Sequence, residues 1–288
     1  MENGNTRKPD YGTFLGIAVA FAGILTGLLL EKGTLQDLTQ LTAFLIVVGG
    51  TAGAVLISTP SANAIRACRR CRLVFFQEER NYRALLDQIL AFSVLARRGG
   101  ISYIESSADS LADPLFRKGL LLAVDGVDTN EIRRVMQLEM QLEADHAEED
   151  ASVFDTAGGY APTIGIIGAV LGLIQVMKRL DHISEVGGGI AVAFVATVYG
   201  VGLANLILLP FAAKIRARAR LESEKRELIC EGVVAIAEGL NPHLIRARLE
   251  SFLNDHGGTR PAAGRVPVSQ TAGARVPVSQ TAGAGSGM

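Results

Sequence analysis

The chain of 288 residues contains no tryptophan, only three cysteines and almost no net charge. A formal net charge of −1 disfavours a nucleic-acid partner, because such proteins carry a clear basic excess. Three cysteines are too few for a disulfide framework. Cys68 and Cys71 form a CxxC pair, but no second pair or nearby histidine completes a zinc site. We therefore expect neither a bound metal nor a cofactor.

The sequence also lacks the common motifs of soluble active sites. No GxxxxGK[ST], HExxH or GxSxG motif occurs, and the histidines are scattered at positions 146, 182, 243 and 256. The run Gly187–Gly189 has neither the preceding strand nor the following lysine of a phosphate loop. We interpret this run as a turn at the start of a helix, and we expect the chain not to be an enzyme.

Long apolar stretches are abundant instead, and apolar residues make up 49% of the chain. Four of these stretches are long enough to cross a bilayer as helices, at 11–30, 38–59, 154–178 and 190–212. A cleaved signal peptide is disfavoured because a second apolar stretch follows the first within a few residues. The sequence predicts an all-α integral membrane protein with four transmembrane helices arranged in two hairpins.

Basic residues follow the second and fourth apolar stretches. They are Arg66, Arg69, Arg70 and Arg72 after the second, and Lys214, Arg216, Arg218 and Arg220 after the fourth. The positive-inside rule places both segments in the cytoplasm, and therefore both termini as well. We predict a multi-pass membrane protein with two cytoplasmic parts; the family resemblance given below implies the bacterial inner membrane.

The polar segments predict further helices and the limits of the domains. A stripe with a period of 3.6 residues before Gly99–Gly100, an Asp113–Pro114 cap and an Asn241–Pro242 cap all indicate helices. The sequence RVPVSQTAGA at 265–274 recurs at 275–284, in a segment without aromatic residues that is typical of disorder. The predicted parts are a leader (1–10), transmembrane hairpin 1 (11–60), a cytoplasmic helical domain (61–153), transmembrane hairpin 2 (154–212), C-terminal cytoplasmic helices (213–256) and a disordered tail (257–288).

The third apolar stretch is unusually rich in glycine. Gly165, Gly168 and Gly172 recur at helical spacing, so one helix face is nearly bare backbone and can admit a close neighbour. Pro162 leaves the carbonyl of Gly158 without its partner in the helix, which is costly in lipid. We expect this helix to face protein or water rather than lipid.

None of the four stretches carries an Asp, Glu, Lys, Arg or His in its interior. Because ion-translocating proteins usually place such a group near mid-membrane, a conducting complex would need a carboxylate from a second polypeptide. The polar groups that remain could line a wet path or could form hydrogen bonds between helices. They are Tyr160, Thr163, Thr197, Tyr199 and Asn205.

Three segments resemble the MotA/PomA family, the larger stator subunit of the bacterial flagellar motor: GGTAGAVLIST at 49–59, FDTAGGYAPTIGIIGAVLGLI at 154–174 and AFVATVYGVGLANLILLPFA at 193–212. The resemblance extends from about residue 10 to 255. It implies a pentamer around two copies of a single-span, MotB-like partner whose aspartate carries the ion. Ion flow would then drive the ring to step around the partner, and the cytoplasmic domain would push the rotor protein FliG.

The resemblance also implies roles for individual residues. Pro162 and Pro210 match two family prolines that couple protonation to conformational change. Arg97 and Glu105 match a charged pair proposed to contact the rotor, with Arg98 as an alternative contact. Relatives often have glutamate where this chain has Gly99. A structural role is also open for Arg97, because a cation in the last turn of a helix interacts favourably with the helix dipole.

The resemblance further bears on the ion. Sodium-driven relatives have a threonine, an oxygen ligand for a hard cation, where this chain has Ala169. Thr197 matches the other threonine of that site, which proton-driven members share. We therefore expect protons to be the driving ion. Two alternatives stay open: a subunit of an ExbB/TolQ-like proton channel that energises an outer-membrane system, and a membrane scaffold without ion flux.

Overall fold

The computed structural model describes residues 8–33, 38–77, 82–178 and 183–257. Apart from one two-residue strand pairing, its regular elements are helices. Four helical segments are long and apolar enough to cross a membrane, which confirms the predicted fold class. The expected repeat tail beyond residue 257 and most of the leader lie outside the described residues.

The first two spans are α1 (Tyr11–Leu30) and a second helix that changes its winding along its length. This second helix starts as α2 (Leu41–Phe44), widens into a π-helical segment (Leu45–Gly49) and continues as α3 (Gly50–Ser58). No residue of α1 is buried within the chain. The first span therefore presents nearly its whole surface to its surroundings.

Helix α4 (Ser61–Phe75) follows α3 after two residues. It leads into strand β2 (Phe76–Gln77), which pairs in antiparallel fashion with strand β1 (Lys8–Pro9) next to the start of α1. The chain thereby returns from the end of the second span to the beginning of the first.

A helical bundle follows, composed of α5 (Tyr82–Gly99), a 3₁₀ turn (Ile101–Ile104), α6 (Glu105–Ala108) and α7 (Pro114–Val124). The Asp113 carboxylate accepts hydrogen bonds from the first amides of α7, at 3.1 and 3.2 Å, so the predicted cap is present. Gly100 has a φ of 83°, a conformation that favours glycine and ends α5 at the predicted place.

Two very long helices connect this bundle to the second hairpin. Helix α8 runs without interruption from Thr129 to Lys178. The other long helix, called the α9–α10 rod below, comprises α9 (Ile183–Gly202), a π-helical segment (Leu203–Leu208) and α10 (Leu209–Ala237). Helix α11 (Pro242–Gly257) follows it. With 50 residues and a rise of about 1.5 Å per residue, α8 extends far beyond a hydrocarbon core of about 30 Å.

The interpretation of Gly187–Gly189 as a turn is wrong, because these residues lie inside α9. A Cβ atom added at Gly189 would lie 2.5 Å from a methyl carbon of Val176 in α8. The small residue is therefore required where the two helices converge, and helical packing rather than a change of chain direction explains it.

The main hydrophobic core lies in the helical bundle, where α5, α7 and α11 surround the N-terminal part of α8 and the C-terminal part of α10. Its largest fully buried side chains are Ile89, Ile104, Leu115, Phe116, Leu120, Ile132, Met136, Leu228, Ile229, Ile245 and Leu249. A smaller cluster around Phe154 joins α3, α4, α8 and α10. The long helices therefore pass through both clusters.

Candidate ion-path and coupling site

The glycine face of α8 packs directly against α9. A Cβ atom added at Gly165 would lie 2.9 Å from the backbone oxygen of Ala196, and one at Gly172 would lie 3.0 Å from the backbone nitrogen of Ala193. The predicted close neighbour is therefore present, and it belongs to the same chain. Because α9 covers this face, a second polypeptide would have to approach α8 from another side.

Pro162 lies where three helices meet. A Cβ atom added at Gly200 of α9 would lie 2.5 Å from the carbonyl oxygen of Ala161 and 3.2 Å from the Cα atom of Pro162. From the other side, Gly50 of α3 packs against Ile164, since a Cβ atom there would lie 2.7 Å from its side chain. The turn of α8 that contains the proline thus faces protein on two sides, as expected from its freed carbonyl.

Pro210 is exposed and is the second residue after the π-helical segment 203–208. A proline within a helix cannot donate a backbone hydrogen bond, and its ring crowds the carbonyl four residues earlier. A widened turn before the proline therefore reduces this steric clash. The side-chain amide of Asn205 donates to the carbonyl of Val201 at 2.9 Å and satisfies a backbone acceptor there. Pro210 therefore lies next to a change in helical winding, whereas Pro162 lies inside the continuous helix α8.

Most of the polar groups in the spans bond within their own helix. The hydroxyl of Thr163 donates to the carbonyl of Tyr160 at 2.8 Å, and the hydroxyl of Thr197 donates to the carbonyl of Ala193 at 3.3 Å. The hydroxyl of Tyr199 instead donates to the carbonyl of Leu38 at the start of the second span. The threonine oxygens keep their lone pairs, so each can accept a hydrogen bond from water.

The side of α8 opposite the glycine face is open. Tyr160 and Thr163 are exposed, and a Cβ atom added at Gly159 would meet nothing within 4 Å. Ala169 is half-buried beside this face, and exposed Ile166 and Val170 continue it. The structure therefore brings Tyr160 and Thr163 to an accessible surface within a turn of Pro162.

The charged residues expected to contact the rotor lie together at one end of the bundle. Arg97 and Arg98 occupy the last turn of α5, and Glu105 occupies the first turn of α6. All three are exposed, and none forms an ion pair with another described residue. A Cβ atom at Gly99 would lie 2.7 Å from the ring of Tyr103, so local packing favours glycine at this position.

Sequence reasoning missed a buried ionic cluster between α4 and α8. Asp150 is fully buried, with the Nε atom of Arg66 2.6 Å from its Oδ1 atom and the Nε atom of Arg70 2.8 Å from its Oδ2 atom. Hydrogen bonds from Arg66 to Asp150 and Glu149 raise the pKa of that guanidinium above its ordinary value. The available signal was that Asp150 falls on the same helical stripe as buried Ala147.

A second missed cluster surrounds Asp10. Its carboxylate caps α1 and lies 2.6 Å from the Nζ atom of Lys214 and 2.9 Å from a guanidinium nitrogen of Arg218, both in α10. The hydrogen bond from Lys214 is the main cause that lowers the pKa of Asp10 to about 2. Charge therefore joins the start of α1 to the beginning of α10, and Arg218 also donates a hydrogen bond to the carbonyl of Val74 near the end of α4 at 3.1 Å.

Comparisons with known proteins agree with this architecture. The family described as the MotA/TolQ/ExbB proton channel family matches residues 107–228, and the motility protein A N-terminal family matches residues 14–100. Motility protein A of Bacillus subtilis (strain 168) is 33% identical over 245 residues, which cover 85% of this chain and 91% of that protein. The chemotaxis protein PomA of Vibrio alginolyticus is 30% identical over 246 residues, with 85% and 96% covered.

A solved structure of C. jejuni MotAB aligns with a TM-score of 0.80 at 31% identity and covers 85% of this chain and 96% of that one. The sequence, the order of the spans and the three-dimensional fold thus point to the same relatives. The chain belongs to the MotA/PomA family, within the wider group of MotA, TolQ and ExbB proton-channel proteins.

Proposed function

We propose that this chain is a flagellar motor stator subunit that assembles with a single-span, MotB-like partner into an ion channel and converts proton-motive force into torque. The observation that carries the proposal is the absence of any Asp, Glu, Lys, Arg or His between residues 11 and 30, 41 and 58, 156 and 177, and 186 and 213. A channel made of these spans needs an acid from elsewhere, and a partner's aspartate supplies one.

The open face of α8 is where the partner's aspartate would approach. Tyr160, Thr163 and, through its oxygen lone pairs, Thr197 would guide water or a proton toward that acid. Ala169 offers no oxygen ligand, which favours protons over sodium. Pro162 and Pro210 would let α8 and the α9–α10 rod bend when the acid changes its charge.

The last turn of α5 and the first turn of α6 would transmit the stepping of the stator ring to the rotor protein FliG. Arg97, Arg98 and Glu105 are exposed and carry charges of both signs at one end of the bundle. Exposed charges of this kind favour a fast, reversible contact with a complementary charged surface.

We place the protein in the bacterial inner membrane with both termini in the cytoplasm, since the basic residues after α3 and within α10 follow the positive-inside rule. The hairpins 11–60 and 154–212 would lie in the bilayer, and 61–153 and 213–256 in the cytoplasm. The boundaries near 153 and 212 fall within α8 and α10, so each helix would continue across the membrane surface. Several copies, five in the expected assembly, would surround two copies of the partner.

Proton flux measured in vesicles tests this proposal. Vesicles with the chain alone should not conduct, whereas vesicles with the chain and a MotB-like partner from which any segment that blocks the channel has been deleted should acidify rapidly. Replacing the partner's membrane aspartate by asparagine should abolish the flux. Selective proton current from this chain alone would overturn the proposal.

Swimming assays test the residue roles. Pro162→Leu should abolish motility at unchanged protein level, whereas Ala169→Thr should leave motility dependent on protons. Motility that persists with a proton uncoupler and needs sodium would contradict the assignment of the ion. An ExbB/TolQ-like role is not favoured, because residues 14–100 match the N-terminal family of motility protein A.

A further inference from the structure

Helix α4 is fixed at both ends next to the ends of membrane spans. Its first residue, Ser61, follows the end of α3 by three positions. At its other end, the carbonyl of Phe75 accepts a hydrogen bond from the amide of Asp10 at 2.9 Å, and the ring of Phe75 packs on Phe14 of α1 with centroids 5.6 Å apart. The start of α1 and the end of α3 lie on the same side of the membrane. Because α4 connects these two points, it runs along the membrane surface on that side.

The two sides of α4 carry different environments. Its inner side holds buried Ala64 and Ala67, and it directs Arg66 and Arg70 to acidic residues of α8. Arg66 reaches Asp150 and Glu149, and Arg70 reaches Asp150 and Glu143. The positive charge on this side is therefore neutralised within the chain.

The outer side of α4 has no such compensation. Ile65, Cys68 and Arg69 are exposed there, with 56% of the Ile65 surface accessible. Arg69 forms no ion pair with any residue that the structure describes. An apolar side chain next to uncompensated arginine is the composition of a helix that lies in a membrane interface.

We propose that the outer side of α4 binds the headgroups of anionic phospholipids. A guanidinium group suits phosphate because it can donate two parallel hydrogen bonds, while its aliphatic stem lies along apolar surface. The location between two span ends makes a lipid rather than a protein the occupant. This inference requires that the spans are inserted in a membrane and that α4 lies along its surface. It does not depend on the stator function.

The exposed thiol of Cys68 gives a direct test. In a full-length chain with Cys71→Ala and Cys230→Ala, a fluorophore on Cys68 would report on nearby lipids. The protein would be placed in phosphatidylcholine vesicles doped with equal small amounts of a headgroup quencher on either phosphatidylglycerol or phosphatidylcholine. We expect enrichment of the anionic lipid by about fivefold, the usual contribution of one arginine near an anionic surface.

Arg69→Gln should remove most of that preference. The matched control is Arg117→Gln, which removes the same charge from an exposed position in α7 of the helical bundle. Equal quenching by both lipids in the parent, or an unchanged preference in Arg69→Gln, would overturn the proposal. So would the loss of the preference on adding inorganic phosphate at constant ionic strength, because that result would indicate a site for free phosphate.

A second measurement avoids the label and the cysteine substitutions. The unsubstituted chain, purified in mild detergent from membranes that contain phosphatidylglycerol, should retain more of this lipid than Arg69→Gln does. Equal retention by the two proteins would contradict the inference. The vesicle flux assay for the proposed stator function has a different readout, so failure of one proposal leaves the other intact.

Discussion

The long helices α8 and α10 cross two regions that pack in different ways. In the membrane part, several glycines of the α8–α9 contact meet backbone: a Cβ atom at Gly200 would lie 2.5 Å from the oxygen of Ala161. In the helical bundle, glycines meet the ends of side chains: a Cβ atom at Gly119 would lie 2.8 Å from the sulfur of Met136. Close contact between backbones is therefore found in the membrane part, whereas the glycine of the bundle makes room for a side chain.

The surrounding solvent explains this difference. Lipid is as apolar as leucine, so helices in a bilayer gain little by burying large side chains and associate through close approach of small residues. In water, burial of large apolar side chains is itself the driving force, at about 25 cal/mol per Å². The bundle accordingly has a core of Phe, Ile, Leu and Met, whereas the closest backbone contacts between α8 and α9 are made by Gly and Ala.

Asp150 lies where the two regions join, and its replacement should have the largest effect. Asp150→Asn would remove the buried acid that Arg66 and Arg70 share. Because both arginines are partly exposed and each keeps a second carboxylate, we expect a cost toward the lower end of the about 3–5 kcal/mol of a broken buried ion pair. The thermal unfolding midpoint in detergent should fall markedly. Asp145→Asn is the matched control, because Asp145 is an exposed acid of the same helix. Equal unfolding midpoints for the two variants would show that the connection between the membrane part and the helical bundle does not depend on this cluster.

Two glycine substitutions test the packing difference itself. Gly200→Ala should destabilise by about 3 kcal/mol, the upper end of overpacking costs, because backbone atoms cannot move aside. Gly119→Ala should cost less, since the flexible side chain of Met136 can shift. Unfolding midpoints of both variants measure the contrast, and Gly202→Ala, which would meet nothing within 4 Å, is the control within the α9 helix. Equal destabilisation by Gly200→Ala and Gly119→Ala would refute the proposed difference between backbone contact and side-chain contact.

Local sequence signals predicted the features that arise locally. The Asp113 cap, the end of α5 at Gly99 and the glycine face of α8 each depend on residues within one or two turns. The continuity of α8 across the expected boundary near residue 154 was not predicted, because an acidic run before an apolar run also suits two separate elements. The π-helical segment at 45–49 carries no proline and likewise gave no local signal.

The ionic clusters could not be predicted because their partners are distant in sequence. Asp10 pairs with residues of α10 that lie about two hundred positions later, and Arg66 with residues of α8 more than eighty positions later. The positive-inside pattern indicated where these arginines lie relative to the membrane. It could not separate Arg66, which turns inward, from Arg69, which is exposed.

The Asp10 cluster predicts the smallest effect, and its sign follows from the pKa. The folded pKa of about 2 lies below the ordinary value of 3.8. The carboxylate therefore stabilises the folded state above about pH 4, and this contribution disappears as the pH falls toward 2. A shift of this size corresponds to about 2 kcal/mol.

Thermal unfolding of the parent and of Asp10→Asn, measured from about pH 5 down to about pH 2, tests this expectation. The parent should be the more stable protein at the upper end, and the difference should vanish at the lower end. Asp109→Asn, at an exposed acid in the helical bundle, should follow the parent throughout. A gap between parent and Asp10→Asn that stays constant with pH would mean that α1, α4 and α10 are joined by packing, as in the bundle, rather than by charge.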